Sequence, residues 1–269
     1  MELSVCTISF RHHLQSIEEI AAWASQTGFT GIELWGIHAR YLEAYDYDEH
    51  WLKSYHLHTA MLSDYIPFEE EERLKSVQTL SRLAHRWGAN KIRTFAGGKG
   101  SQYTHGAERR EIVSALRRNC EQFSEHGLSL LIEIHPNTLA DTLPSTLQLI
   151  EEIDHPALYI NYDVLHMWES GVDPVQAYKQ LQPAIAHLHL KNISSRQYLH
   201  VFEPANVYAA SGSRKGMVGL FEGAVDYQDF FSSIKTPISA SLEWFGGDVK
   251  RVLQQDVLAL QEILYKKLV

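Results

Sequence analysis

Glu133 and His135 sit in the run "LLIEIHPNT" (residues 130–138), where Leu130, Leu131, Ile132 and Ile134 mark a buried strand and Pro136 ends it. A carboxylate and an imidazole placed there need partners, because burying an uncompensated charge is costly. Alternation along a strand puts Leu131, Glu133 and His135 on one face. The same reading groups Tyr159, Asn161 and Asp163 in "LYINYD", His187, His189 and Lys191 in "AHLHLKN", and Ser241, Glu243 and Phe245 in "ASLEWF". Glu133, Asp163, His189 and Glu243 thereby fall at equivalent depth near the ends of four strands. Three carboxylates gathered there would repel one another unless a cation sat among them. One imidazole with three carboxylates is a hard, oxygen-rich donor set. It suits one divalent ion, Mn2+ or Mg2+ with Co2+ also possible, better than a structural Zn2+. Plainer readings exist residue by residue: Asp163 could cap the next helix, and His189 could be a core histidine with its bonds satisfied. Their recurrence on consecutive strands favours the metal.

Further candidates surround this set. His166, three residues after Asp163, would lie just above the sixth strand. His135 stands one pleat above Glu133, and Lys191 one pleat above His189. Arg93, sharing a strand face with Lys91 and Phe95, would offer a fixed cation to a substrate carboxylate. Arg93 and Lys191 could instead pair with an interior acid such as Glu33. Tyr65 and Tyr208 fall in connections and are candidates for the pocket rim, loop packing being the alternative. The glycines of "FAGGKGS" lack phosphate-loop spacing and read as a permissive turn.

The elements that must position these groups alternate from end to end. Strands are expected at Leu3–Phe10, Gly31–Trp35, Leu57–Leu62, Lys91–Phe95, Ser129–His135, Leu158–Asp163, Ile185–Lys191 and Ser239–Phe245. Helical patterns lie between them. In "SIEEIAAWASQTG", Ile17, Ile20, Ala21 and Ala24 share a face, Ser16 with Glu19 forms a capping box, and Gly28 stops the helix. Two later helical runs stop at Gly88 and Gly127. Eight strand–helix pairs predict an α/β fold, a (β/α)8 TIM barrel in a single domain over 1–269. A doubly wound open sheet would want a glycine-rich dinucleotide fingerprint after its first strand, and there is none. About 35 residues, Asn192 to Asp226, separate the seventh strand from its helix, well beyond the usual loop, so they are expected to form a lid or a specificity element.

Composition narrows the partners. The 269 residues are 45% hydrophobic, enough for a sizeable core, and the net charge of −9 argues against nucleic acid, whose phosphates need a Lys/Arg excess. Cys6 and Cys120 are the only cysteines and read as two reduced thiols. No apolar run approaches a membrane span, and "MELSVCTISF" has no basic segment ahead of its apolar residues. A cytoplasmic protein without membrane contact is expected; oligomeric state is not legible.

The order Glu133, Asp163-x-x-His166, His189, Glu243 resembles the xylose-isomerase-like barrel superfamily, which includes sugar epimerases, inosose dehydratases and endonuclease IV. The segments "CTISFRH", "GFTGIELWGIHA", "NKIRTFAG", "IHPNTLADTLPSTL", "LHMWESGVDP", "KNISSRQYLHVFEPANVYAA" and "ASLEWFG" narrow this. They resemble the 3-dehydroshikimate dehydratase family of petrobactin siderophore biosynthesis, from residue 6 to residue 246. The resemblance implies a divalent metal on Glu133, Asp163, His189 and Glu243, and pocket roles for Arg93, His135, His166 and Lys191. The implied reaction is a lyase reaction, dehydration of 3-dehydroshikimate to 3,4-dihydroxybenzoate (protocatechuate) through a metal-stabilised enolate. In that reading His135 is the base with Glu133 its rival, His166 or Lys191 protonates the leaving hydroxyl, and Arg93 holds the substrate carboxylate. A metal-dependent sugar epimerase or isomerase is the alternative, with Glu133 and Glu243 as its two carboxylates. A phosphodiesterase of the endonuclease IV kind and a non-catalytic metal or ligand sensor are less compatible with these residues.

Overall fold

The computed structural model describes residues 1–235 and 238–266. Eight parallel strands close into a barrel in the order β1-β10-β7-β6-β5-β4-β3-β2. They are β1 (Leu3–Cys6), β2 (Gly31–Trp35), β3 (His58–Ser63), β4 (Lys91–Thr94), β5 (Ser129–Glu133), β6 (Leu158–Asp163), β7 (Ile185–Leu190) and β10 (Ala240–Leu242). A separate two-residue ribbon, β8 (Asn192–Ile193) with β9 (Met217–Val218), lies in the long connection. Around the barrel run α1 (Ile17–Gln26), α2 (Gly36–Leu42), α3 (Glu49–Lys53), α4 (Glu70–Trp87), α5 (Gly106–Glu125) and α6 (Leu143–Ile153). They are followed by α7 (Val164–Glu169), α8 (Pro174–Leu181), α9 (Pro204–Tyr208), α10 (Tyr227–Ser233) and α11 (Val249–Lys266).

Local chemistry accounts for the boundaries. Ser16 and Glu19 form the reciprocal capping box of α1, whose buried stripe is Ile17, Ile20, Ala21 and Ala24. Gly28, Gly88 and Gly127 all have positive φ (91°, 65° and 69°), the backbone a helix needs to turn back without a Cβ clash. The second and sixth strands have the expected bounds. The third is shifted by one residue, and the fourth ends at Thr94 rather than Phe95. The first stops at Cys6 because Thr7–Phe10 coils into a 3-10 turn. Thr7 Oγ1 there accepts the Trp35 N–H at 2.9 Å and lies 3.0 Å from His38 Nδ1, so the chain bends toward β2 rather than extending. The fifth and seventh strands end at Glu133 and Leu190, and the eighth at Leu242. His135, Lys191 and Glu243 therefore belong to the loops at the barrel mouth, not to the pleat itself.

The connection from Asn192 to Asp226 is built, not slack. Asn192, 2% exposed, holds its two ends together. Its amide donates to Leu220 O (2.7 Å) and Val225 O (2.9 Å), and its oxygen accepts from Ile193 N (2.9 Å) and Val225 N (3.1 Å). Arg196 donates to Trp168 O (2.6 Å) and Glu169 O (3.0 Å), with its guanidinium 3.8 Å from the Trp168 ring centroid. From the other side of the mouth, Arg11 Nε donates to Val207 O at 2.7 Å and so clamps α9. Cys6 and Cys120 are buried free thiols. Among the described residues no helix is long and apolar enough to cross a membrane.

Candidate active site

Ligand atoms of Glu133, Asp163, His189 and Glu243 all lie within 4.8 Å of one another, and the four side chains are buried. Parallel register explains the convergence. Glu133 pairs with Asn161 across β5 and β6, and Asp163 with His189 across β6 and β7. The Glu243 N–H donates to Leu190 O at 3.0 Å, which sets it beside the end of β7. Asp163 does both things the sequence left open. Its Oδ1 accepts the His166 N–H at 2.9 Å and caps α7, while its Oδ2 faces the cluster. His189 is likewise only half satisfied: Nε2 lies 2.7 Å from Glu33 Oε2, and Nδ1 faces Glu133 Oε1 (3.3 Å) and Glu243 Oε1 (3.5 Å).

Two permanent cations stand among these acids. Lys191 Nζ lies 2.6 Å from Asp163 Oδ2 and 2.8 Å from Glu243 Oε2. Arg93 Nε lies 3.0 Å from Glu133 Oε2, and Nη2 lies 3.4 Å from Glu33 Oε1, the pairing with Glu33 that the sequence also allowed. Burial raises the Glu133 carboxyl, but Arg93, His189 and Lys191 outweigh it and hold the group well below the usual carboxylate range. Asp163 is lowered against burial chiefly by Lys191. Burial disfavours the His189 and Lys191 cations, yet the surrounding carboxylates raise both.

These residues fit a divalent ion by two observations. Buried His189 Nδ1 faces the carboxylate oxygens of Glu133 (3.3 Å) and Glu243 (3.5 Å), and Glu133 Oε2 and Asp163 Oδ2 are met only by the ion pairs to Arg93 and Lys191 among the described residues. Around the cluster, Glu33, Glu133, Asp163 and Glu243 are buried carboxylates whose permanent cationic partners among the described residues are Arg93 and Lys191. With His189 neutral, as a metal-ligating imidazole is, that deficit of two charges equals the charge of a dication.

Above the cluster two imidazoles meet, His135 and His166, with ring centroids 4.5 Å apart. His135 Nδ1 lies 2.8 Å from Pro136 O. A carbonyl only accepts, so Nδ1 carries the proton and Nε2 keeps its lone pair. Burial, then the neighbouring His166, push His135 down to about 4, so it is neutral at physiological pH. His166 Nδ1 lies 2.7 Å from Glu169 Oε2, one helical turn along α7, and its Nε2 lies 3.9 Å from Asp163 Oδ2. The rim is aromatic: Phe95 lies between Tyr65 and His135, and Tyr208 stacks on Trp35 with centroids 5.9 Å apart. The Tyr208 and Tyr65 hydroxyls are 3.3 Å apart, which joins α9 to the connection after β3 across the opening. The space left inside is about 50 Å3, enough for a few waters.

All the expected site residues thus line one cavity or the cluster beneath it. Three others were not singled out for these roles. Glu33 was considered only as a counter-charge, although "GIELW" is the same polar interruption of a buried strand that marks Glu133. Glu169 carried a readable signal, since i, i+3 spacing from His166 places both on one helix face. Arg11 had none, because its partner Val207 lies 196 residues away.

A sequence profile described as "Xylose isomerase-like TIM barrel" matches residues 21–263. The 3-dehydroshikimate dehydratase of Bacillus anthracis is 50% identical over 270 residues, 97% of this chain and 96% of the relative. The crystal structure of the probable 3-DHS dehydratase involved in petrobactin synthesis from the same organism superposes with a TM-score of 0.94 at 49% identity, covering 97% of this chain and 99% of that one. A structure of the IOLI protein with a bound zinc atom has a TM-score of 0.78 at 13% identity, with 99% of each chain covered, and shares the fold.

Proposed function

Because the chain belongs to the xylose isomerase-like TIM barrel family and shares half its residues with a dehydratase, we propose that it dehydrates 3-dehydroshikimate to 3,4-dihydroxybenzoate. It is a hydro-lyase acting on a small-molecule substrate. The near-complete match to that dehydratase carries the reading, and the geometry supplies a chemistry for it.

The substrate is a cyclic β-hydroxy ketone bearing a carboxylate. A proton must leave the carbon α to the ketone, the β-hydroxyl must leave as water, and a proton moved from the ring methylene to the ketone oxygen then gives the aromatic product. Glu133, Asp163, His189 and Glu243 would hold one divalent ion, Mn2+ or Mg2+ with Co2+ a further possibility. When bound, that ion supplies Lewis-acid stabilisation of the developing oxyanion, which acidifies the α C–H enough for a weak base. His135 Nε2 is that base: neutral, with its other nitrogen fixed by Pro136 O. His166 protonates the departing hydroxyl. Glu169 Oε2 accepts from Nδ1, which fixes the ring and leaves Nε2 on the side of the acid cluster, 3.9 Å from Asp163 Oδ2. Lys191 is the weaker choice for this step because its ammonium is spent on Asp163 and Glu243. Lys191 and the guanidinium N–H groups of Arg93 not used on Glu133 and Glu33 would receive the substrate's carboxylate and hydroxyls, with Tyr65 and Tyr208 closing over the ring. A neutral sugar makes no use of two buried cations, which weighs against the epimerase.

The product is a catechol, and catecholate siderophore assembly in the cytoplasm is the route it would enter. The test is to mix purified protein with 3-dehydroshikimate and Mn2+, with and without excess chelator, and follow catechol absorbance. Product with metal and none with chelator is expected. No product with metal, together with interconversion of ketoses, would transfer the assignment to an epimerase.

A further inference from the structure

Glu33 on β2 and His189 on β7 come from strands that are not neighbours in the barrel. Their side chains nevertheless meet across the interior, Oε2 to Nε2 at 2.7 Å, and neither is exposed to solvent. The second Glu33 oxygen makes only the longer 3.4 Å contact with Arg93 Nη2. Placed between the Arg93 guanidinium, which only donates, and the His189 ring nitrogen, the Glu33 carboxylate is the acceptor of both contacts. His189 Nε2 must then carry the hydrogen. The other ring nitrogen, Nδ1, lacks a hydrogen-bond partner among the described residues and faces Glu133 and Glu243.

Glu33, His187 and His189 also lie close enough to suggest a second ion. His187 excludes it. Its Nδ1 is 2.8 Å from Ser239 Oγ and its Nε2 is 2.8 Å from Ser241 Oγ, so neither nitrogen has a free lone pair directed at Glu33. Glu33 therefore faces a ligand without being one.

We propose that Glu33 is a positioning residue for the metal site. By accepting the His189 Nε2–H it fixes the ring orientation and the tautomer that presents the Nδ1 lone pair to the dication alongside Glu133, Asp163 and Glu243. The inference rests on the metal-dependent reading above. A carboxylate behind a ligating histidine is a general device, and its loss typically weakens metal binding about 10- to 100-fold.

The test measures Mn2+ binding, not turnover. Glu33→Gln keeps the size of the side chain, but its amide can donate to Nε2 while its carbonyl turns to Arg93, which moves the ring proton to Nδ1. Glu33→Asp keeps the charge and withdraws it by one methylene. Mn2+ titration of metal-free protein by calorimetry is expected to show the affinity of E33Q lowered about 10- to 100-fold and that of E33D lowered less, with circular dichroism unchanged. Pulsed EPR of the manganese-loaded proteins is expected to show one coordinated imidazole nitrogen in the wild type and a heterogeneous or weakened coupling in E33Q. Should E33Q fail to fold, E33D carries the test. Wild-type affinity and an unaltered nitrogen coupling in a folded variant overturn the proposal and leave the dehydratase assignment standing. A wild-type protein that binds no Mn2+ overturns both.

Discussion

Asp256 on α11 accepts the Leu220 N–H at 2.8 Å and so ties the end of the long connection to the C-terminal helix. Burial, with a smaller contribution from Glu222, raises its pKa to about 6 from 3.8. The folded protein therefore retains a proton between about pH 4 and pH 6 that the unfolded chain has released. The contribution is fully present below the unfolded pKa, is lost as pH rises through about 6, and stays lost above it. A shift of about two units corresponds to about 3 kcal/mol at most. Asp256→Asn removes the charge and keeps an oxygen for Leu220. The Leu220 bond is already included in that net shift; the Asn NH2, which must also be accommodated in the buried site, offsets part of the gain, leaving about 1–2 kcal/mol. For a chain of this size that is about 2–8 °C in Tm. Thermal melts of both proteins at pH 8 and at pH 4.5 provide the assay. D256N should melt higher at pH 8, and the difference should shrink toward zero at pH 4.5. A variant that melts lower by the same amount at both values would show that the carboxylate serves as a charged anchor and that its burial imposes no penalty.

Three further outcomes follow from the site. His135→Ala should lower kcat by about 10^2- to 10^4-fold while metal content, measured by elemental analysis, stays at the wild-type level; undiminished turnover would remove its role as base. Glu169→Gln should lower kcat about 10-fold with KM within twofold, the share of general-acid catalysis lost when the His166 ring is no longer oriented by a carboxylate at Nδ1, and Glu169→Asp should recover part of it; an equal loss in both variants would point to packing instead. Arg11→Ala removes the clamp on Val207, a hydrogen bond from a charged donor worth about 1.5–3 kcal/mol, and should raise KM about 10-fold or more with kcat little changed. An unaltered KM in steady-state assays would show that α9 closes the mouth without Arg11.

The polar interruptions of buried strands were legible because a barrel interior makes alternation a strict rule. Glu133, Asp163, His189 and Glu243 could be placed on one face from period two alone, and the capping box and the three glycine stops follow from rules spanning a few residues. The ends of the strands were less legible. Thr7 turns out of the sheet because its hydroxyl meets a backbone N–H from Trp35, a partner on another strand. For the same reason His135 and Lys191 read as one pleat above the ligands, whereas both stand in loops that leave the sheet.

Sequence alone thus determined which side chains share a face, and their type is what called for a cation among them. Only the closed barrel decided how each charge is answered: Glu33 against His189, Arg93 between Glu33 and Glu133, Lys191 between Asp163 and Glu243. Alternation is a property of the local backbone and is written into neighbouring residues. Pairing across a barrel depends on which strands face one another and on distances of a few ångströms between residues as many as 156 positions apart. Coulomb attraction in a dry interior falls off with those distances, and no local pattern encodes them.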